Sequence, residues 1–361
     1  MPSNALRRTC VRSLIGLVRL ALWPTAWRFQ RALKHPDRAQ ARVLRAVVTE
    51  LARTQYGQAH HVAADDGYSE FQSKLPIVSY EDLIPWIERQ QRQENQILVS
   101  EKVQCYGKTS GSSGPAKYIP YTASVLRSFR ITFRLWLYDL LSHGPKFMTG
   151  KLFFDAASFV GRQAVTDRGV RLGVESDLEF VPHWLRKLLR LFLVACPRDG
   201  RLKTSEVVSD SEAYKHVRAL SMLAEEDLEV ISIWSPSYLT VLVDYIQSHQ
   251  DSLAEDWAAG RTVRGGIELR FQEPAPQRLA ALRCNPIPWH HLWPSLKLIS
   301  CWDDHHAGSA ASHLRRTFPH VLFQGKGLFA TETPMTFPVI RAKGCVPLVT
   351  EVFYEFEDEG G

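Results

Sequence analysis

Residues 108 to 117 read Lys-Thr-Ser-Gly-Ser-Ser-Gly-Pro-Ala-Lys, and this run limits what can be built around it. Thr109, Ser110, Gly111, Ser112, Ser113 and Gly114 give four hydroxyls and two glycines in six consecutive positions. Glycines let successive backbone N–H groups turn toward one point, and hydroxyls add donors around it. Such a nest suits a polyphosphate, with Lys117 available to neutralise its outer charge. A flexible Ser/Gly linker has a similar composition. The flanks favour the nest: residues 98–106 are strand-like, Tyr118–Tyr121 reads as a short strand, and 122–141 carries an apolar helical pattern.

Two other phosphate loops fail on context. Gly107-Lys108-Thr109 imitates the end of a Walker loop, but that motif requires glycine where Lys102 stands. Gly325-Lys326-Gly327-Leu328-Phe329-Ala330 imitates a dinucleotide fingerprint after the apolar run 321–323. A helix should then begin, yet Thr331-Glu332-Thr333-Pro334 and the strand-like Met335-Thr336-Phe337 follow. Ser112-Ser113 also lacks the Gly-x-Ser-x-Gly elbow of hydrolases.

Helical patterns at 35–55, 80–90, 122–141, 182–194, 238–247 and 309–318 alternate with short apolar strands at 151–159, 229–233, 296–301 and 321–323. Residues 62–70 read as loop, 161–173 as turns, and 273–291 as an irregular connection. This alternation predicts an α/β protein of layered sheets with flanking helices. At 361 residues and 45% hydrophobic content the chain has ample material for a core. The cysteines at 10, 105, 196, 284, 301 and 345 are scattered without a Cys-x-x-Cys pair. That pattern predicts reduced thiols in a cytoplasm, with neither a disulfide framework nor zinc.

Charge is uneven. Residues 1–45 hold ten Lys/Arg and one acid, a net +9, so with +6 overall the remainder sums to −3. A mildly acidic body argues against nucleic acid as a partner. The basic segment 1–34 reads as an amphipathic arm, Leu6, Cys10, Leu14, Leu17, Val18 and Ala21 forming one face and Trp23-Pro24 ending the run. Arg19 interrupts it as a signal peptide, and it is too short and charged to span a bilayer. Docking on the protein body and peripheral contact of residues 1–33 with an anionic membrane both remain open.

The Ser/Gly loop resembles the phosphate loop of adenylate-forming enzymes (acyl-CoA synthetases, luciferases and adenylation domains). Four further segments, in order, resemble the auxin-responsive (Gretchen Hagen) acyl-acid amido synthetase family in its bacterial branch. They are His35–Gln40 with the helix running to Thr54-Gln55-Tyr56-Gly57, Leu75–Leu83, Trp293–Trp302 and Gln324–Glu332. The resemblance covers residues 35 to 358 and implies the large N-terminal domain of an adenylate-forming enzyme. It also implies a reaction: a carboxylic acid attacks ATP to give an acyl-adenylate and pyrophosphate, and an amino acid amine takes the acyl group. By that likeness Thr109, Ser110, Gly111, Ser112, Ser113, Gly114 and Lys117 hold the β- and γ-phosphates. Thr331 contacts the α-phosphate and Glu332 binds Mg²⁺, while Phe329, Trp302 and Asp303 lie beside adenine or ribose. Ser235 and Ser237 fall in the acyl pocket, although Ser237 also reads as a helix N-cap. Fixed donors and a cation around a leaving pyrophosphate are what this chemistry needs.

Thr333 stands where bacterial relatives place glycine. The sequence ends at Phe353-Tyr354-Glu355-Phe356-Glu357-Asp358-Glu359-Gly360-Gly361 and contains no Gly-Asp pair. The family's ribose-binding Tyr-Arg-x-Gly-Asp motif and small C-terminal domain are therefore expected to be missing, leaving 35–361 as an incomplete adenylation domain. A non-catalytic nucleotide-binding remnant, or a membrane-surface or partner-binding protein using the basic arm, is the alternative. The cluster Asp303-Asp304-His305-His306 with His290-His291 imitates a metal site, but adjacent side chains diverge and seldom serve one ion.

Overall fold

Pro24 does not end the first helix: α1 runs from Asn4 to Ala32 with Pro24 inside it. Its ring and the Leu20 carbonyl it leaves without a donor lie on the exposed side, while Val18, Leu22, Ala26 and Phe29 are buried on either side of the proline. Packing on both flanks outweighs the local rule. The buried stripe also differs from the predicted face, since Leu6, Cys10, Leu17 and Ala21 are exposed. The arm docks on the body, mainly against the long helix that follows the Ser/Gly segment.

The computed structural model describes residues 4–92, 96–108, 117–154, 164–173, 180–189, 192–194 and 211–356. The N-terminal third continues with α2 (Pro36–Leu51), α3 (Gln55–Ala59), α4 (Tyr68–Lys74) and α5 (Tyr80–Arg92). The single helix expected over 35–55 breaks at Thr54, whose hydroxyl caps α3 by accepting from Gly57 N. Part of the expected loop at 62–70 is the start of α4. The strands β1 (Cys105–Lys108) and β2 (Tyr118–Tyr121) pair antiparallel on either side of the Ser/Gly segment. β4 (Arg171–Leu172) adds to β1 in parallel. Thr109, Ser110, Gly111, Ser112, Ser113 and Gly114 lie outside the described residues, as do Cys196 and the last five positions.

After β2 come α6 (Ala123–His143), β3 (Lys151–Phe154), α7 (His183–Leu189), α8 (Ser211–Leu223) and β5 (Leu228–Ser232). Then follow α9 (Pro236–Ser248), α10 (Gln250–Ala258) and the hairpin of β6 (Arg261–Arg264) and β7 (Ile267–Arg270). The stretch expected to be irregular contains α11 (Pro276–Leu282) and α12 (Trp289–Leu292). The chain continues through β8 (Leu298–Ser300), α13 (Gly308–Thr317) and β9 (Leu322–Gln324) to the hairpin of β10 (Thr336–Val339) and β11 (Gly344–Pro347).

Strands β3, β5, β8 and β9 form one parallel sheet in that order. Side chains alternate across it. Phe153, Ile231, Ile299 and Phe323 share one row and pack into the main core with α8, α9 and α10. The neighbouring rows, Leu152-Val230-Leu298 and Phe154-Ser232-Ser300-Gln324, belong to the opposite face, where α6 and α1 pack. With both faces covered, the strands read as nearly continuous apolar runs, as parallel strands do. The serines and the glutamine are the exceptions, and they mark the carboxyl ends.

Candidate functional site

Strands β5, β8 and β9 end at one level, with Ser232, Ser300 and Gln324 in register. All three are buried, as is Lys326 just beyond. The Lys326 ammonium donates to Ser232 Oγ at 3.0 Å and to Ser300 Oγ at 3.4 Å. It stands 5.0 Å from the Trp234 ring centre and 5.6 Å from that of Trp136 on α6. Trp136 Nε1 donates to Gln324 Oε1 at 2.9 Å. Indole nitrogen only donates, so this bond fixes which way the amide points. Gln324 Nε2 is left buried without a hydrogen-bond partner among the described residues.

The chain beyond each strand builds the outer part of the site. Trp302 N donates to the Trp234 carbonyl at 2.9 Å, and the two indoles lie 5.3 Å apart. Phe329 packs 5.5 Å from Trp234 and 6.4 Å from both Phe129 and Phe133. Asp303 is paired with Arg315 at 2.6 Å and sits over Gly325, where any Cβ would collide with its carboxylate. Trp302, Asp303 and Phe329 therefore border one region, with Trp234 joining the two aromatic residues. Ser235, rather than Ser237, holds the N-cap position of α9, with Pro236 in the first turn. Its hydroxyl makes no cap bond. Both serines are exposed beside Trp234.

Thr331 and Glu332 occupy the tip of a tight reversal. Ala330 N donates to the Thr333 carbonyl at 3.1 Å, and Met335 N to the Leu328 carbonyl at 2.9 Å. Gly327 takes φ +78 within van der Waals reach of Thr336, a place a side chain does not fit. The Tyr121 hydroxyl donates to the Thr331 carbonyl at 2.6 Å. This bond joins the tip to the strand pair that brackets the Ser/Gly segment.

Lys117 leads into β2, where its ammonium pairs with Glu81 at 3.1 Å and stands 4.8 Å from the Tyr80 ring centre. The Glu81 carboxyl lies below the ordinary carboxylate range, held there by its own backbone amide and by Lys117. Glu332 is exposed and makes no hydrogen bond or ion pair among the described residues. It borders a broad cavity of about 1020 Å³ that also touches α2, Glu101, Arg127 and Glu351. Burial pushes the Glu351 carboxyl up, against the opposing pull of Thr350, Ser128 and Arg127.

The metal imitation at 303–306 and 290–291 gains no support, because no group of three metal-ligating side chains exists among the described residues. Sequence reasoning missed the Ser232-Ser300-Gln324-Lys326 row. Its one signal was a polar residue at the end of each apolar strand.

A parallel sheet with its polar groups gathered at the carboxyl ends, beside an antiparallel pair that brackets a Ser/Gly loop, is the α/β large-domain fold of solved acyl acid amido synthetases. The architecture matches AtGH3.15 acyl acid amido synthetase in complex with 2,4-DB, with TM-score 0.69 and 19% identity, over 89% of this chain and 57% of that one. A second structure of GH3.15 acyl acid amido synthetase matches with TM-score 0.67 and 18% identity, over 88% of this chain and 58% of that one. Residues 25–323 match the GH3 family N-terminal domain, and the chain belongs to that family. Among its Arabidopsis thaliana relatives, indole-3-acetic acid-amido synthetase GH3.15 is 27% identical over 285 residues, covering 72% of this chain and 45% of the relative. The 4-substituted benzoates-glutamate ligase GH3.12 is 21% identical over 291 residues, covering 72% of this chain and 47% of the relative. The chain thus spans about half the length of the curated relatives it matches.

Proposed function

We propose that this chain carries the acid-activating part of an acid–amino acid ligase using ATP and Mg²⁺. A substrate carboxylate oxygen attacks the α-phosphorus and the bond to pyrophosphate breaks; an amino acid nitrogen then displaces AMP from the acyl carbon. The observation that carries this reading is the Tyr121–Thr331 hydrogen bond, which ties the Thr331–Glu332 tip to the strands on either side of the Ser/Gly loop. In this reading Thr109, Ser110, Gly111, Ser112, Ser113, Gly114 and Lys117 hold the outer phosphates, and the Thr331 hydroxyl reaches the α-phosphate. Trp302, Asp303 and Phe329 border adenine and ribose, with Ser235 and Ser237 at the rim of the acyl pocket. Residues 35–361 then act as one adenylating body.

Glu332 fits a magnesium ion. Its exposed carboxylate makes no hydrogen bond or ion pair among the described residues, and a Mg²⁺ ion held mainly by phosphate oxygens and retained waters needs only one or two protein carboxylates. Bound there, the ion would offset charge gathering on the departing pyrophosphate. Lys117 adds a second positive group, which the Glu81 carboxylate and Tyr80 ring hold in place.

Carboxylate-dependent exchange between ATP and pyrophosphate tests the activity. It also separates this reading from a nucleotide-binding protein without catalysis. Lys117→Ala and Glu332→Ala should each weaken MgATP binding by about tenfold, the scale of one charge-assisted contact. If both titrate like wild type, the nucleotide assignment is wrong.

The outward side of α1 favours a second reading, contact with an anionic membrane surface. Leu17, Leu20, Trp23 and Trp27 are 64, 68, 49 and 44% exposed, with Arg19 and Arg28 also exposed among them. No helix among the described residues is long and apolar enough to cross a membrane. Replacing Leu17, Leu20 and Trp23 with serine should abolish sedimentation with anionic liposomes at low salt. Unchanged sedimentation excludes this contact.

A further inference from the structure

Two glycines flank Lys326, and at neither does a side chain fit. A Cβ at Gly325 would stand 2.3 Å from the Asp303 carboxylate, and one at Gly327 would stand 2.7 Å from Thr336 Oγ1. Glycine leaves the backbone free to take many courses, and Gly327 takes φ +78. The path between β9 and the Thr331–Glu332 tip therefore depends on what anchors Lys326. Its ammonium donates to Ser232 Oγ at 3.0 Å and to Ser300 Oγ at 3.4 Å, at the ends of β5 and β8. Beyond Gly327 the course is fixed again. Leu328 N donates to Thr336 Oγ1 at 2.7 Å, and the Thr331 carbonyl accepts from the Tyr121 hydroxyl at 2.6 Å.

The anchor uses a buried charge. Lys326 is 8% exposed, and both serines are fully enclosed. The ring centres of Trp234 and Trp136 lie 5.0 and 5.6 Å from the ammonium, close enough for the ring faces to attract it. Withdrawing an ammonium from water costs free energy that hydroxyls and indoles offset in part. An apolar side chain would fill the same space without that cost. What it lacks is direction: hydrogen bonds to two oxygens fix where the ammonium, its stem and the attached backbone lie.

We propose that Lys326 is a positioning residue of the ligase site: anchored on β5 and β8, it sets the course of Gly325–Gly327 and so holds Thr331 and Glu332 where a metal-bound triphosphate meets them. The proposal rests on the ligase reading and adds the residue that supports its second motif. Lys326 acts through the backbone that carries Glu332, not by touching a ligand. Groups that must meet a ligand within a fraction of an ångström need such support behind them.

Titration calorimetry with MgATP and thermal unfolding, both on the full chain, test this. Lys326→Met keeps an apolar stem of similar length and removes the charge, so the melting temperature should stay at or above wild type. MgATP affinity should nevertheless fall about tenfold, as in Glu332→Ala. Ser232→Ala combined with Ser300→Ala takes two acceptors from the ammonium. Stability should drop, and MgATP affinity should fall as it does in Lys326→Met. Opposite effects on stability with the same effect on nucleotide separate positioning from folding. In a Glu332→Ala background, Lys326→Met should weaken MgATP by less than about twofold, because the carboxylate it places is gone.

Wild-type MgATP affinity in a folded Lys326→Met variant overturns the proposal and leaves the ligase reading standing. Wild-type affinity in the double serine variant does the same, since the lysine then needs no anchor. A full tenfold loss from Lys326→Met with Glu332 already alanine also overturns it, because the lysine then acts on something other than the tip. A wild-type chain that binds no MgATP overturns the ligase reading and the positioning role together.

Discussion

Tyr121 and Thr331 lie 210 positions apart, yet the Tyr121 hydroxyl donates to the Thr331 carbonyl at 2.6 Å. Tyr121 is 3% exposed and packs against Phe129 and Phe180, so its ring has little freedom. Tyr121→Phe keeps this packing and removes the hydroxyl that makes the bond. Denaturant unfolding should show a loss of about 1 kcal/mol, the usual worth of one such bond. MgATP affinity should fall as well, because the Thr331–Glu332 tip loses its tether. A variant with lowered stability and unchanged nucleotide affinity would mean that the tether serves folding alone.

Gly107 explains how that ring reaches its place. A Cβ at Gly107 would stand 2.6 Å from the nearest Tyr121 ring carbon and 2.7 Å from its hydroxyl oxygen. Gly107→Ala should therefore cost about 2 kcal/mol through overpacking and weaken MgATP binding more than Tyr121→Phe does. With Tyr121 cut back to alanine the added methyl has room. In a double-mutant cycle the two effects should then be strongly non-additive. Simple additivity would show that the methyl acts on something other than this ring.

The α/β alternation was legible because each helix and strand is written in consecutive residues. Pro24 misled, since the local penalty of an interior proline yields to burial of Leu22, Ala26 and Phe29 on both sides of it. The β6–β7 hairpin was overlooked although Gly265 and Gly266 both take positive φ between two short alternating runs. Its strands hold so many arginines that their apolar content falls below that of the other strands. The Lys326 row was beyond reach for a different reason. Ser232, Ser300 and Gln324 meet only through the register of three strands far apart in sequence, and no local pattern encodes register across a parallel sheet.

Glu351 gives the cavity beside Glu332 a pH dependence. Burial raises its carboxyl above the ordinary value of 4.5, more than Thr350, Ser128 and Arg127 pull it down. A group whose folded value is raised binds protons more tightly in the native state. Its contribution to stability is therefore complete below about pH 4.5 and is lost as pH rises through the folded value. Glu351→Gln retains an acceptor for the Ser128 hydroxyl and removes the titration. Thermal unfolding should show matching midpoints near pH 4 and a higher midpoint for the variant at pH 7.5. A lower midpoint at pH 7.5 would contradict burial as the dominant effect.

Glu229 is the second residue of β5, and its fully buried carboxylate organises the entry to the neighbouring strand β3. Met148 N donates to it at 2.7 Å, Thr149 N at 2.9 Å and Gly150 N at 2.8 Å, and the Lys297 ammonium lies 2.6 Å away. Three consecutive amides and a cation thus converge on one side chain, and Gly150 adopts φ +69 so that the chain can turn around it. Glu229→Ala leaves those amides without their acceptor and takes the carboxylate from Lys297, which keeps only the Lys146 carbonyl among the described residues. Removing one member of such an arrangement costs about 3 kcal/mol or more. Glu229→Gln should cost nearly as much, because its N–H₂ faces donors on every side. The β3–β5 pairing sets the level of Phe154 and Ser232 at the carboxyl edge, so the damage should extend beyond stability. Both variants, assayed well below their melting temperatures, should bind MgATP more weakly than wild type. Unaltered MgATP affinity in a destabilised Glu229→Gln would show that the edge keeps its level without this anchor.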